Sequence, residues 1–372
     1  MRIPLSYNEI DQEGLMRILR QFEGVHHEKI VSAFEEKFAG LLGANTALAV
    51  QSGTAALHLA LKVAGVKPGD FVIAPTFCYV AAISPIIYCG AQPYFIDASD
   101  RDWNMDVVKM VAAIDDVARK GGRVGAVVVV HNYGYPCAME EIRKKTILLE
   151  IPVIEDCAES LMSYWGGRAT GTIGDFGVFS FNNNKTVTAF GGGALISSRP
   201  GAVEEARKLA GHALEEVPYY LHKKVGYNYR MSAIQAAYGL SQFERMDEFM
   251  QRRRYIDDQY RRLLQPQGFT FQEANSKDRT QPWLSACLLP GHMEPATVAE
   301  RLKSGQIEAR RLWNPMHSQP AFSSFPTANG GVAEKLFKRG ICLPMGRYGT
   351  SFSDPCDAVV ELLLDSKKQP SN

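Results

Sequence analysis

From residue 47 to about residue 156, short apolar or β-branched runs alternate with stretches whose apolar residues recur at helical spacing. ALAV at 47–50 precedes TAALHLALKVAG, FVIAP at 71–75 precedes CYVAAISPIIYCG, and PYFID at 93–97 precedes MDVVKMVAAID. VGAVVVVHNYG at 124–134 then leads through a charged helix to PVIED at 152–156. Strands that alternate with crossover helices predict an α/β protein with a doubly wound, parallel sheet. VVVV shows no polar alternation, which predicts strands covered on both faces. Further strands are expected at GVFSFN and GGALIS, before a long amphipathic region, MSAIQAAYGLSQFERMDEFMQRRRYIDDQYRRLL. A helix of that length at the end of a sheet joins a large domain to a small one. The boundary is expected near residue 245, with a large domain over 1–245 and a smaller C-terminal α/β domain over 246–372, which holds strand WLSACLLP and helix ATVAERLKS.

Length agrees, because 372 residues exceed the usual single domain. Charge narrows the partners: 41 Lys and Arg against 40 Asp and Glu give a net +1, no reason to expect nucleic acid or an anionic membrane. The seven cysteines are scattered and never form a Cys-x-x-Cys pair, which predicts buried thiols in a reducing compartment and neither disulfides nor a metal site. The N-terminus has no apolar signal core, and no run approaches the eighteen or so apolar residues of a membrane span. A cytoplasmic protein is expected.

In a doubly wound sheet, ligands collect beyond the carboxyl ends of the strands. After ALAV come Gln51, Ser52, Gly53, Thr54 and Ala55, opening a helix. Small residues there let a backbone approach a ligand, and the helix N-terminus carries partial positive charge, so the stretch reads either as an anion site for a phosphate or as an ordinary helix cap. Thr76-Phe77-Cys78-Tyr79 offers an aromatic face that either stacks on a ring or packs in the core. PVIED ends in Glu155 and Asp156, with Glu159 three residues on, and carboxylates at a strand end call for a cation. Lys185, in DFGVFSFNNNKTVTAFGGGAL, taken alone reads as a surface group. Together, a phosphate grip, a stacking aromatic, a carboxylate for a ring cation and one lysine are what pyridoxal phosphate needs, with the lysine forming a Schiff base.

SGTAALHLAL, GDFGVFSFNNNKT, GYNYRMSAIQAAYGL and LWNPMHSQPAF resemble, in order, motifs of the DegT/DnrJ/EryC1/StrS sugar aminotransferases, over roughly residues 30 to 348. The resemblance implies the fold type I of pyridoxal-phosphate enzymes, with a mostly parallel seven-stranded sheet flanked by helices. It implies covalent attachment of the cofactor to Lys185 and pairing of Asp156 with the pyridinium. Tyr79 would stack on the ring, Glu159 would sit beside the ring hydroxyl, and Ser52, Gly53, Thr54, Ala55 and Ser180 would hold the phosphate. Asn228 of GYNYR would reach the phosphate of a neighbouring subunit, so a homodimer with shared sites is implied. Segment 1–35 would border the sugar site, with His26, Lys29, Arg310 and His317 as substrate residues.

Two stretches depart from the family pattern. Where many members read T-T-G-E-G-G, this chain has Thr188-Ala189-Phe190-Gly191-Gly192-Gly193, with glycine at the glutamate's position. That glycine resembles the subgroup that aminates UDP-linked 4-keto-6-deoxy-N-acetylhexosamines at C4, with glutamate as the amino donor; GDP- or dTDP-linked keto sugars, as in perosamine synthases, are the alternative. The small S-S-x-G stretch of the family is replaced by Val25-His26-His27-Glu28. Dehydratases of this family carry histidine in place of the lysine, a silent sugar-nucleotide-binding protein needs no Schiff-base lysine, and a nicotinamide dehydrogenase needs a G-x-G-x-x-G that is missing.

Overall fold

The structure, a computed structural model, describes residues 2–6, 10–274, 279–346 and 355–364. Its strands in chain order are β1 (Ala47–Val50), β2 (Phe71–Pro75), β3 (Gln92–Ile96), β4 (Val124–Val130), β5 (Val153–Asp156), β6 (Tyr164–Trp165), β7 (Arg168–Ala169), β8 (Phe176–Ser180) and β9 (Gly193–Ser197). They continue with β10 (Thr270–Phe271), β11 (Ser285–Leu288), β12 (Arg310–Arg311), β13 (Thr327–Ala328) and β14 (Gly340–Leu343). The central sheet runs β1-β9-β8-β5-β4-β2-β3-β13. Pairing is parallel from β8 through β13, and only β9 runs antiparallel, between β1 and β8. The sheet therefore has eight strands where seven were expected. The eighth, β13, comes from the C-terminal part of the chain and is only two residues long, too short to show as a periodic run.

The apolar runs form strands because both faces are covered. Residues 125–130 of β4 and all of β1 and β5 are buried. Helix Gly53–Val63 buries seven consecutive residues, Ala55 to Leu61, under one face of the sheet, in a cluster with Leu48, Val128 and Ile154. Ile73, Val127, Val129 and Val153 point to the other face and meet Met110 and Ile114 of helix Val107–Arg119. The stretch CYVAAISPIIYCG condenses to a single turn at Val80–Ala82 and a five-residue helix, Ser84–Tyr88. The long amphipathic region is two helices, Ala233–Glu244 and Met246–Leu264, which meet at Arg245.

A second, antiparallel sheet, β10-β11-β14-β12, packs with helix Met246–Leu264 through Ile256, Tyr260 and Leu264. The N-terminal segment belongs to this cluster: Ile3 pairs with Ile307, and both Ile3 and Leu5 are buried beside Ile341 and Leu343. That return of the N-terminus lays Leu5 and Ser6 along the cleft between the two sheets. No described helix is long and apolar enough to cross a membrane.

Candidate active site

A cleft of about 450 Å³ opens beyond the carboxyl ends of β1, β4, β5 and β8. Side chains alternate along β5, so its two acidic residues have separate fates. Glu155 turns away from the cleft and is fully buried. Its carboxylate accepts from His131 Nε2 at 3.0 Å, from the amides of Gly171 and Ile173 at 2.9 and 2.8 Å, and from the Gly174 amide. His131 Nδ1 accepts the Cys137 amide at 3.0 Å, which places the ring proton on Nε2. Glu155 is thus satisfied by N–H donors within the protein.

Asp156 lines the cleft, 8% exposed, and accepts the Ala158 amide at 3.0 Å. Burial pushes its carboxyl above the usual range, while the Ala158 amide, Lys185 and His131 act in the opposite direction. Glu159 accepts the Tyr133 amide at 2.7 Å and lies 3.9 Å from Lys185 Nζ. Burial pushes Glu159 up to about 7, against the pull of Lys185 and the Tyr133 amide. Tyr133 holds this amide in place from a left-handed backbone conformation at φ 57°.

Lys185 lies in the turn after β8, its Nζ 3.9 Å above the centre of the Trp283 ring. Burial lowers its ammonium below the ordinary lysine range, Glu159 and Asp156 oppose this, and Arg253 adds to it. The lysine is therefore a cleft residue, and the surface reading of its sequence context does not hold. Trp283 continues into an aromatic wall: Trp313 stacks on it at 6.2 Å and 13°, and on Tyr133 at 5.7 Å and 6°. Tyr79 stands at the open end of this wall, 55% exposed and 5.5 Å from Trp313, whereas Phe77 and Cys78 are core residues.

Opposite lies the N-terminus of helix Gly53–Val63. Ser52 caps it, its hydroxyl accepting the Ala55 amide at 3.1 Å. Gly53 and Thr54 face the cleft together with Gln51, Ser180 and Asn182. Gly193 makes this close approach possible. A Cβ there would lie 2.5 Å from both the Gly53 nitrogen and the Ser52 carbonyl carbon. Gly191, also at the cleft, has φ +146°, a conformation that only glycine adopts without strain.

Of the expected residues, the fold brings Ser52, Gly53, Thr54, Tyr79, Asp156, Glu159, Ser180, Lys185 and Arg310 to one cleft. Others lie elsewhere. Ala55 is buried, its amide taken by the Ser52 cap. His317 is held by Thr76 Oγ1 at 2.6 Å and Glu334 Oε1 at 2.9 Å, so both ring nitrogens are engaged away from the cleft lining. His26 and Lys29 are exposed at the start of helix Glu28–Leu42, and Asn228 is exposed beside its backbone pair with Gly211. The aromatic wall, Ser6 and Asn184 were not foreseen. Trp313 was within reach, inside the LWNPMHSQPAF motif, and Trp283 opens a segment that reads only as a strand.

Residues 8–363 match the family model of the DegT/DnrJ/EryC1/StrS aminotransferase family. The chain is 41% identical to the putative pyridoxal phosphate-dependent aminotransferase EpsN of Bacillus subtilis, over 90% of this chain and 87% of the relative. It is 36% identical to the GDP-perosamine synthase of Escherichia coli O157:H7, over 84% of each. The crystal structure of the aminotransferase TlmJ from Streptoalloteichus hindustanus superposes with a TM-score of 0.86 at 26% identity, over 98% of both chains. The chain belongs to the DegT/DnrJ/EryC1/StrS aminotransferase family.

As a member, it is a pyridoxal-phosphate-dependent sugar aminotransferase. The cleft of this aminotransferase suits that cofactor. Asp156 is a buried carboxylate whose ionised form gains from a cation, Lys185 is a buried amine biased toward its neutral form, and Gly193 clears the approach to a helix N-terminus able to receive a phosphate.

Proposed function

We propose that this enzyme moves the amino group of L-glutamate to C4 of a UDP-linked 4-keto-6-deoxy-N-acetylhexosamine, a step in the making of amino sugars for surface glycans. The observation that carries the aminotransferase chemistry to these residues is the convergence of Lys185, Asp156, Glu159 and the Ser52–Thr54 turn on one cleft. Support for an N-acetylated sugar comes from glycine at position 191 of the cleft, where many members of the family carry glutamate.

Bound in this cleft, pyridoxal phosphate supplies a ring that withdraws electrons from the amino acid's Cα. The chain's residues do the rest. Ser52, Gly53, Thr54 and Ser180 hold the phosphate through backbone amides and hydroxyls at the helix N-terminus. Asp156 keeps a proton on the ring nitrogen, and Glu159 orients the ring edge beside Lys185. Lys185 would hold the cofactor at rest, and its neutral Nζ, when free, would take the proton from Cα. Burial under Trp283 favours that neutral form. Tyr79 covers the ring face, and Arg310 at the mouth binds a carboxylate or diphosphate. The same residues then work in reverse on the keto sugar.

The enzyme acts as a cytoplasmic homodimer in which Asn228 reaches the partner's phosphate site; its exposure in the single chain supports that role. The likeness to GDP-perosamine synthases favours a second reading, a GDP-linked 4-keto-6-deoxyhexose as acceptor. The deciding experiment is an absorbance spectrum of the cofactor-saturated protein, followed by glutamate and then a panel of UDP-, GDP- and dTDP-linked keto sugars. A visible band that glutamate converts and the UDP sugar restores supports the reading. A band restored only by the GDP sugar transfers the assignment to the second reading, and a spectrum that ignores glutamate overturns both.

A further inference from the structure

Arg253, on helix Met246–Leu264, is 4% exposed, and no carboxylate among the described residues pairs with it. An isolated interior guanidinium is costly compared with an apolar side chain of the same length, so its surroundings bear on what it does. Its Nη1 donates to the Trp283 carbonyl and its Nη2 to Ser6 Oγ at 3.0 Å. Ser6 Oγ donates in turn to the Asn184 carbonyl at 2.6 Å, and Trp283 Nε1 donates to the same carbonyl at 2.8 Å. Asn184 immediately precedes Lys185, whose Nζ rests on the Trp283 ring. One guanidinium therefore ties together the N-terminal segment, the strand-leading Trp283 and the lysine turn.

We propose that Arg253 is a positioning residue for Lys185: it clamps Trp283 and, through Ser6, Asn184 around the lysine, and holds an unneutralised positive charge behind it. A purely structural arginine would be expected to meet a carboxylate, as Arg261 meets Asp257 on the same helix. Among the described residues, Glu159 and Asp156 favour the ammonium of Lys185 and Arg253 disfavours it. The guanidinium thus offsets part of the carboxylates' pull toward the ammonium. This role rests on Lys185 being the cofactor lysine proposed above.

The test is the pH midpoint at which Lys185 in the cofactor-free full chain becomes reactive to acetic anhydride, read by mass spectrometry, for wild type, Arg253→Met and Ser6→Ala. Removing the charge in Arg253→Met is expected to raise the midpoint by roughly half to one pH unit, the scale of one charge acting across a partly desolvated site. Ser6→Ala, which breaks the link from Arg253 through Ser6 to Asn184 but keeps the guanidinium, is expected to stay near wild type. If Arg253→Met does not fold, Arg253→Gln, which retains a donor for the Trp283 carbonyl, is expected to show the same rise. A midpoint unchanged on loss of the charge, or one that moves as far in Ser6→Ala, overturns the proposal. Borohydride fixation of cofactor onto wild-type Lys185 is scored separately; its failure would sink the cofactor-lysine reading while the labelling midpoints still report on Arg253.

Discussion

Asp156 and Glu159 are both buried acids near Lys185, yet their partners prepare them for different tasks. Asp156 has one backbone donor and lines the cleft, ready for a cation on a bound ring, whereas Glu159 is anchored by the Tyr133 amide and leans toward the lysine. Asp156→Asn is expected to retain cofactor, seen as an unchanged visible band, and to lose about 10²-fold or more in turnover, because an amide cannot hold the ring proton. Turnover at the wild-type level would refute its role. Glu159 supports a stability prediction. Its pKa rises from 4.5 to about 7 on folding, so the folded chain binds more protons there than the unfolded chain. Glu159 therefore contributes a loss of stability as pH rises from 4.5 to 7, which His58, lowered by burial to about 4, opposes over much of the same range. Glu159→Gln is expected to remove that contribution, so that its melting temperature gains on wild type as pH rises through this window, while Asp156, which shifts in the same direction, is unchanged. Melting temperatures of both proteins across this window would decide; parallel curves would exclude Glu159 as the cause.

At the level of elements, the proposed phosphate end of the site depends on β9 pressing its backbone against the first turn of helix Gly53–Val63. Gly193→Ala would put a methyl 2.5 Å from backbone atoms of Ser52 and Gly53, which cannot swing aside as a side-chain tip can. The variant is expected to lose about 1–3 kcal/mol of stability and to bind pyridoxal phosphate more weakly, since the turn must move to admit the methyl. Denaturant midpoints and cofactor titration measure the two effects separately, and a variant equal to wild type in both would show that the close approach is not needed. The elements themselves were largely visible in the sequence. β2 and β4 are read correctly because a strand covered on both faces is a continuous apolar run, and β5 from the Val153-Ile154 pair ahead of its acidic end. β13 was missed because two residues carry no period, and its place at the sheet edge is set by Phe95 and Ile96 across the pairing. The long amphipathic region was read without its break because the break at Arg245 needs no proline or glycine.

At the level of the whole molecule, one chain supplies the lysine and carboxylate end of the cleft but leaves Asn228 at the surface. On the proposed homodimer, a sample that combines inactive Lys185→Ala chains with impaired Asn228→Ala chains is expected to regain activity. Up to one site per mixed dimer would then hold both native residues. Activity no higher than the sum of the separate variants would argue against shared sites.

The sequence alone was enough for the parallel α/β sheet, the helix N-terminus after ALAV, the carboxylates of PVIED and the lysine after β8. Each is written in consecutive residues, where apolar periodicity and strand-end placement govern local structure. The tertiary structure decided what those residues meet. It turned Glu155 inward to His131 and the 171–174 amides, left Asp156 in the cleft, and engaged His317 with Thr76 and Glu334. It also set Trp283 over Lys185, 98 residues away in the chain, and Arg253 behind Ser6, 247 residues away. Such contacts depend on how separate elements dock rather than on any local period, and only the packed chain brings their partners within hydrogen-bonding distance.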